Sequence, residues 1–185
     1  MRDPFDDDDA LDPLDGWDTD DVGADDWRLD VSRITDWLSV GGAIAGAEQM
    51  AALRDQGVTH VVSVAWDLDD AALCAAHGLG FYHVPWRDDG QLKPERDFLA
   101  LLAWVEEQER ALAAEGGRLH VYVHCFAGQF RSPLLATFLL AAREGMDMSD
   151  AYNLLCERRA CVSCFTEPRY RQSCLRALAA AGKEW

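Results

Sequence analysis

The sequence predicts an α/β domain with a mostly parallel central sheet flanked by helices on both faces. Two observations carry this. From residue 31 onward, short apolar runs of strand length alternate with longer segments whose apolar residues recur at helical spacing. Each strand-like run is also separated from the next by a helical one, which is the order that a parallel sheet with covered faces requires.

The elements follow in order. Residues 33–42, RITDWLSVGG, read as an extended lead-in closed by a glycine turn, and 43–57, AIAGAEQMAALRDQG, as a helix closed by Gly57. Residues 58–66, VTHVVSVAW, are a buried strand. The short helix DDAALCAAHG, 69–78, leads into the strand FYHVPW, 81–86, which Pro85 terminates, and then into the polar loop RDDGQLKPER, 87–96. In 97–117, DFLALLAWVEEQERALAAEGG, apolar residues at helical spacing with acids outward predict a long helix ended by Gly116 and Gly117. RLHVYVHC, 118–125, is the most strand-like run of all. SPLLATFLLAAREG, SDAYNLLCERR and EPRYRQSCLRALAAAG read as three closing helices, the second with Ser149 as N-cap. No internal repeat is present, and 185 residues suit one domain with a real core.

The charge is uneven. Residues 1–30 hold 13 Asp and two Arg, a net of -11 within the chain's formal -16. With Pro4, Pro13, Gly16 and Gly23 among the acids, this stretch is expected to be an acidic disordered tail ahead of a catalytic domain at 31–185. Phe5, Leu11, Leu14, Trp17, Val22 and Trp27 punctuate it, the pattern of a segment that docks on its own domain or on a partner. Such acidity argues against general binding to nucleic acid or to an anionic membrane. No apolar run approaches the roughly 18 residues of a membrane span. The opening MRDPFDDDDALDPLDGWD lacks a basic start and an apolar signal core, so a cytoplasmic location with six reduced cysteines is expected.

The chemistry concentrates in YVHCFAGQFRS, residues 122–132. The strand delivers Cys125 at its carboxyl end, where open α/β sheets place their sites. The loop Phe126, Ala127, Gly128, Gln129, Phe130, Arg131 then runs into a helix starting near Ser132 or Pro133. Such a loop curls so that backbone N–H groups face one point, and the helix N-terminus adds positive potential there. Ala127 and Gly128 permit close backbone approach, and Arg131 offers a planar fork to two phosphate oxygens. The same field favours the thiolate of Cys125 over the thiol, whose ordinary pKa is about 8.5. Cys125 is thus a nucleophile for phosphorus, Ser132 a hydrogen-bond partner for the sulfur as leaving group, and His124 a residue that orients the loop. A basic leaving group needs an acid, and Asp88 and Asp89 stand on the polar loop beside Gly90.

These residues resemble the dual-specificity branch of the cysteine-dependent protein tyrosine phosphatases. His124, Cys125, Arg131 and Ser132 meet its His-Cys-x5-Arg-Ser/Thr signature, with Ala127 and Gly128 as the usual Ala-Gly. SRITDWLSVGGA resembles the family's opening strand, FYHVPWRDD its general-acid loop, and SPLLATFLLAAREGMDMSDAYNLLCERRACVS the two helices after the active-site loop. The resemblance spans about residues 32–178 and implies the phosphotyrosine protein phosphatase-like fold. It implies hydrolysis of phosphotyrosine and of phosphoserine or phosphothreonine on a protein or peptide through a cysteinyl phosphate, with no cofactor and no metal. The family's spacing from Pro85 favours Asp88 as general acid, with Asp89 as the alternative.

Departures from the family pattern set the competing readings. Phe130 is bulkier than the family's usual residue, which raises a phosphate-binding pseudophosphatase as one alternative. A phosphatase of non-protein phosphomonoesters is another, although Phe126 and Gln129 replace the lysines of phosphoinositide-selective relatives. No added loop supplies an aromatic wall, which suggests a shallow pocket. Cys156, Cys161, Cys164 and Cys174 as a zinc site, and a protective disulfide from Cys125 to Cys74, are the minor readings of the remaining thiols.

Overall fold

The computed structural model describes residues 29–182. Its strands are β1 Val31–Arg33, β2 Leu38–Gly41, β3 His60–Ser63, β4 Gly80–His83 and β5 Val121–His124. Its helices are α1 Ala47–Asp55, α2 Ala71–Ala76, α3 Glu95–Ala114, α4 Arg131–Glu144, α5 Met148–Arg158 and α6 Pro168–Ala180, with a 3-10 turn at Cys164–Thr166. The sheet order is β1-β2-β5-β3-β4. β1 runs antiparallel to β2, and the other neighbouring pairs are parallel. The predicted class, a mostly parallel sheet between helices, is the one observed.

Alternation along the central strands sorts the core into two clusters. Val61 and Tyr122 face Met50 and Leu53 of α1 and Cys74 of α2. Val62, Val121 and Val123 face the other way, toward α3, α4 and α6 through Leu101, Phe138 and Leu178. In α4 every residue from Arg131 to Ala142 is buried. A helix buried all round belongs at the centre of its layer, and α4 packs on β2, β5, α3, α5 and α6. That packing fixes the helix's first turn directly after β5.

Three local readings are corrected. The lead-in 33–42 is not one extended segment: Ile34 and Thr35 N–H groups both donate to Leu38 O (2.9 and 3.1 Å), folding β1 back on β2. Arg33 holds this turn through Thr35 O and Asp36 O, so no glycine or proline marks it. The first helix begins at Ala47 rather than near 43, because Ala43 N–H donates 2.9 Å to Phe126 O and Gly46 is extended. Asp147, not Ser149, caps α5, accepting from the Ser149 N–H at 2.7 Å. The acidic segment lies outside the described residues up to position 28. Asp30, at its end, is tied to the sheet: its carbonyl accepts from Gly42 N–H at 3.1 Å, and the Tyr122 hydroxyl, with one hydrogen to give, lies 2.6 Å from Gly42 O and 3.1 Å from Asp30 O. Among the described residues no helix is long and apolar enough to cross a membrane.

His60 and His120 are buried at the amino end of the sheet, 8% and 6% exposed. Burial lowers both pKa values below the ordinary 6.5, with Arg33 adding to the effect at His120, and Asp36 at His120 and Gln108 at His60 opposing it. The unfolded chain therefore binds more protons in this range. The stabilisation is present above about pH 6.5 and is lost as pH falls through the depressed folded values. Melting temperature is expected to fall between about pH 7.5 and about pH 5.5. The double variant His60→Gln/His120→Gln should flatten that slope, and an unchanged slope would contradict this account.

Candidate active site

Cys125 follows β5 and is 2% exposed. From it to Phe130, each carbonyl is turned outward onto a neighbour. His124 Nδ1 lies 3.4 Å from Cys125 O. Ala43 N–H donates to Phe126 O at 2.9 Å, Ser163 N–H to Gln129 O at 3.1 Å, and Leu134 N–H to Phe130 O at 3.0 Å. Arg159 supplies the other two, Nη2 to Ala127 O at 3.2 Å and Nε to Gly128 O at 2.9 Å. Across a trans peptide the C=O and the next N–H point in opposite directions. The amides of residues 126–131 therefore face the inside of the loop. Gly128 has φ +63, and a Cβ there would sit 2.4 Å from Arg159 Nη2 and 2.6 Å from Gly41 O, so this position takes glycine alone.

Arg131 opens α4 and is 5% exposed. Its Nη1 donates to Trp86 O at 3.1 Å and its Nη2 lies 3.4 Å from Asp88 Oδ2. Its Nε is buried with no partner among the described residues. A buried, unpaired guanidinium nitrogen is costly unless something accepts from it. The Ser132 hydroxyl, fully buried, lies 3.2 Å from Cys125 Sγ and 3.4 Å from Gly41 O, and donates its single hydrogen to one of them. Phe130, the residue that departs from the family pattern, packs half-buried against the core.

The loop after β4 carries both candidate acids, and neighbours distinguish them. Trp86 anchors the loop by donating its indole N–H to Asp97 Oδ2 on α3 at 2.8 Å. Asp88 accepts from Tyr170 OH at 3.2 Å on one oxygen and faces Arg131 with the other. Asp89 is held by Lys93 Nζ at 2.7 Å and by the Gln91 N–H at 3.0 Å. Its slight burial pushes its pKa up, but the Lys93 and Gln91 hydrogen bonds and the Lys93 charge outweigh that and leave it below the ordinary carboxylate value. Lys93 is itself 7% exposed, and its ammonium also donates to Arg87 O at 2.6 Å.

His124 stacks on Tyr122, with centroids 5.5 Å apart. Its Nε2 is 3.0 Å from Asp70 Oδ2 on the loop before α2. The pair does not meet hydrogen-bond geometry and neither atom has another partner among the described residues, so this is a close polar contact between buried atoms. Arg159, 6% exposed, joins the loop carbonyls to Asp30 through contacts of 2.7 and 2.6 Å.

Cys125, Arg131, Ser132 and Asp88 thus come together, with His124 beside Cys125 and Phe126 to Phe130 closing the loop. A cleft of about 390 Å³ beside them is lined by Trp66, Arg87, Asp88, Phe126, Ala127 and Arg131, among others. A larger cavity of about 600 Å³, lined by Trp37, Gly57 and Arg118 at the amino end of the parallel strands, holds none of these groups. Cys74 sits in the core cluster on the far face of the sheet from that of Cys125. Burial first, then Asp70 and Asp69, push its thiol up to about 12. Sequence reading missed Arg159, Asp30, Lys93, Tyr170 and Asp70. The only sequence signal for any of them was the rarity of lysine, since Lys93 is one of two.

The sequence profile of the dual specificity phosphatase catalytic domain matches residues 42–167. No curated protein matches the sequence. Among solved structures, human DUSP28 superposes with a TM-score of 0.68 at 22% identity, over 84% of this chain and 97% of that one. The human tyrosine phosphatase-like serine/threonine/tyrosine-interacting protein gives 0.67 at 20% identity, over 83% and 98%. The Cydia pomonella PTP-2 phosphatase gives 0.62 at 25% identity, over 83% and 90%.

Proposed function

This chain belongs to the dual-specificity phosphatase family, and from that premise we propose that it hydrolyses phosphomonoesters on phosphorylated proteins through a cysteinyl-phosphate intermediate. The phosphoryl group sits in the loop 126–131, its oxygens accepting from the inward amides and from Arg131. The Cys125 thiolate attacks phosphorus, the P–O ester bond breaks, and the Asp88 carboxylic acid gives its proton to the departing oxygen. Water then attacks the phosphocysteine, the Asp88 carboxylate takes a proton from it, and the S–P bond breaks to release inorganic phosphate. Ser132 donates to the sulfur as it leaves. Asp89, committed to Lys93, serves to hold the loop.

The observation that carries this reading is the loop from Cys125 to Phe130, whose carbonyls are all turned outward beside a buried Arg131 Nε that has no partner among the described residues. That arrangement is complementary to a dianion and to the charge that develops on it during transfer. Phe130 packs on the core and is not among the residues that line the cleft, which favours turnover over a pseudophosphatase blocked by that side chain. The test is hydrolysis of p-nitrophenyl phosphate in excess chelator, combined with iodoacetate labelling. Activity is expected to persist, and to be lost in step with alkylation of Cys125, with inorganic phosphate protecting. Activity that survives full alkylation of Cys125 would overturn the proposal.

Arg159 acts here as a positioning residue. Arg159→Met keeps most of the side-chain volume but frees Ala127 O and Gly128 O, so the two amides that follow lose their aim. A fall in kcat/KM of about 10- to 100-fold is expected, with weaker inhibition by inorganic phosphate. Unchanged phosphate inhibition would show that Asp30 and Arg159 do not shape the loop.

A further inference from the structure

The cleft beside Arg131 is walled by aromatic side chains. Among the described residues three large hydrophobic side chains are exposed, Phe126 at 68%, Trp66 at 52% and Leu92 at 40%. Two of the three, the aromatic ones, line this one cleft. Scattered exposed apolar groups need no explanation, but two rings in the cleft that holds the phosphate-binding guanidinium point to a ligand.

Both rings stand on backbone that is held in place. Phe126 directly follows Cys125, and its carbonyl is held by Ala43 N–H. The Trp66 N–H donates to Trp86 O at 3.2 Å, which ties it to the loop carrying Asp88. The Arg87 guanidinium lies 4.4 Å over the Trp66 ring. The two rings thus come from the ends of β3 and β5, and no added loop is needed to supply them.

Charge narrows the ligand further. Apart from Arg131, the cleft offers Arg87, stacked on Trp66, against Asp67, Asp88 and Asp89. A second or third phosphate on the same molecule would meet carboxylates rather than a basic patch.

We infer that this cleft selects phosphate esters of aromatic alcohols, a single phosphate on a phenyl ring held by Trp66 and Phe126, over alkyl phosphates and polyanionic phosphates. The inference rests on the phosphatase reading of the loop and names its substrate class. Each ring contact is expected to contribute about 2- to 10-fold in affinity.

Phenols leave faster than alkyl alcohols whatever the enzyme does, so binding is the cleaner readout. The probes are inorganic phosphate, phenyl phosphate, an inositol polyphosphate, and two peptides differing only in phosphotyrosine or phosphothreonine, titrated calorimetrically into the Cys125→Ser protein. Phosphotyrosine is expected to bind about 10-fold tighter than phosphothreonine. Trp66→Ala and Phe126→Ala, each added to Cys125→Ser, should bring that ratio toward one. A phosphotyrosyl peptide tighter than phenyl phosphate marks a protein substrate, and equal affinities mark a free aryl phosphate; either supports ring selection. Equal affinity for the two peptides, a ratio unmoved by both substitutions, or tighter binding of the inositol polyphosphate would overturn ring selection alone. Failure of inorganic phosphate itself to bind would overturn the phosphatase reading and the inference with it.

Discussion

Cys125→Ser is expected to lower kcat by at least about a thousand-fold on every phosphomonoester, while the protein still folds and still binds inorganic phosphate. The proposed role of the sulfur is that of the nucleophile, aimed from the end of β5 at a phosphoryl group held by the loop amides and Arg131. A serine hydroxyl in the same place is a much poorer nucleophile at neutral pH. The substitution is nearly isosteric, and Ser132 can hydrogen-bond oxygen as it does sulfur, so little in the fold is disturbed. Melting temperature and phosphate titration separate loss of chemistry from loss of structure. A variant that keeps more than about a tenth of wild-type kcat would remove Cys125 from the mechanism.

Asp88→Asn is expected to reveal itself through the leaving group. On a phosphothreonine peptide, whose alkoxide cannot depart unprotonated, kcat should fall by about 100- to 10,000-fold. On p-nitrophenyl phosphate, whose phenolate leaves without a proton, the loss should be much smaller. Asp89→Asn should cost less than about 3-fold on both substrates, because Lys93 and Gln91 already hold that carboxylate. A larger loss at Asp89 than at Asp88 would reverse the assignment.

What was readable in the sequence was whatever is local. The spacing from His124 to Ser132, the apolar run into Cys125 and the glycine at Gly128 specify strand, loop and helix within eleven residues. The periodicity of 97–117 likewise specifies α3 to within a few residues. What could not be read comes from long range. Arg159 meets Asp30 across 129 positions, and Lys93 N–H meets Ser173 Oγ across 80. No spacing rule joins such pairs. The choice between Asp88 and Asp89, left to family spacing in the sequence, becomes a matter of which neighbour each carboxylate has. Phe130 illustrates a different case. By sequence it stands in the loop, yet its side chain packs on the core, while Phe126, unremarkable by pattern beyond its missing lysine, is the ring that faces the cleft.

The central claim is a covalent phosphoryl group on Cys125, and acid quenching during turnover tests it most directly. The protein is mixed with a 32P-labelled phosphotyrosyl peptide, stopped on the millisecond scale, digested, and the labelled fragment identified by mass. The account predicts a burst of label approaching one phosphoryl group per chain, carried by the fragment containing Cys125 and absent from Cys125→Ser. Steady release of inorganic phosphate with no label on Cys125 at any time, or label on another residue, would contradict it.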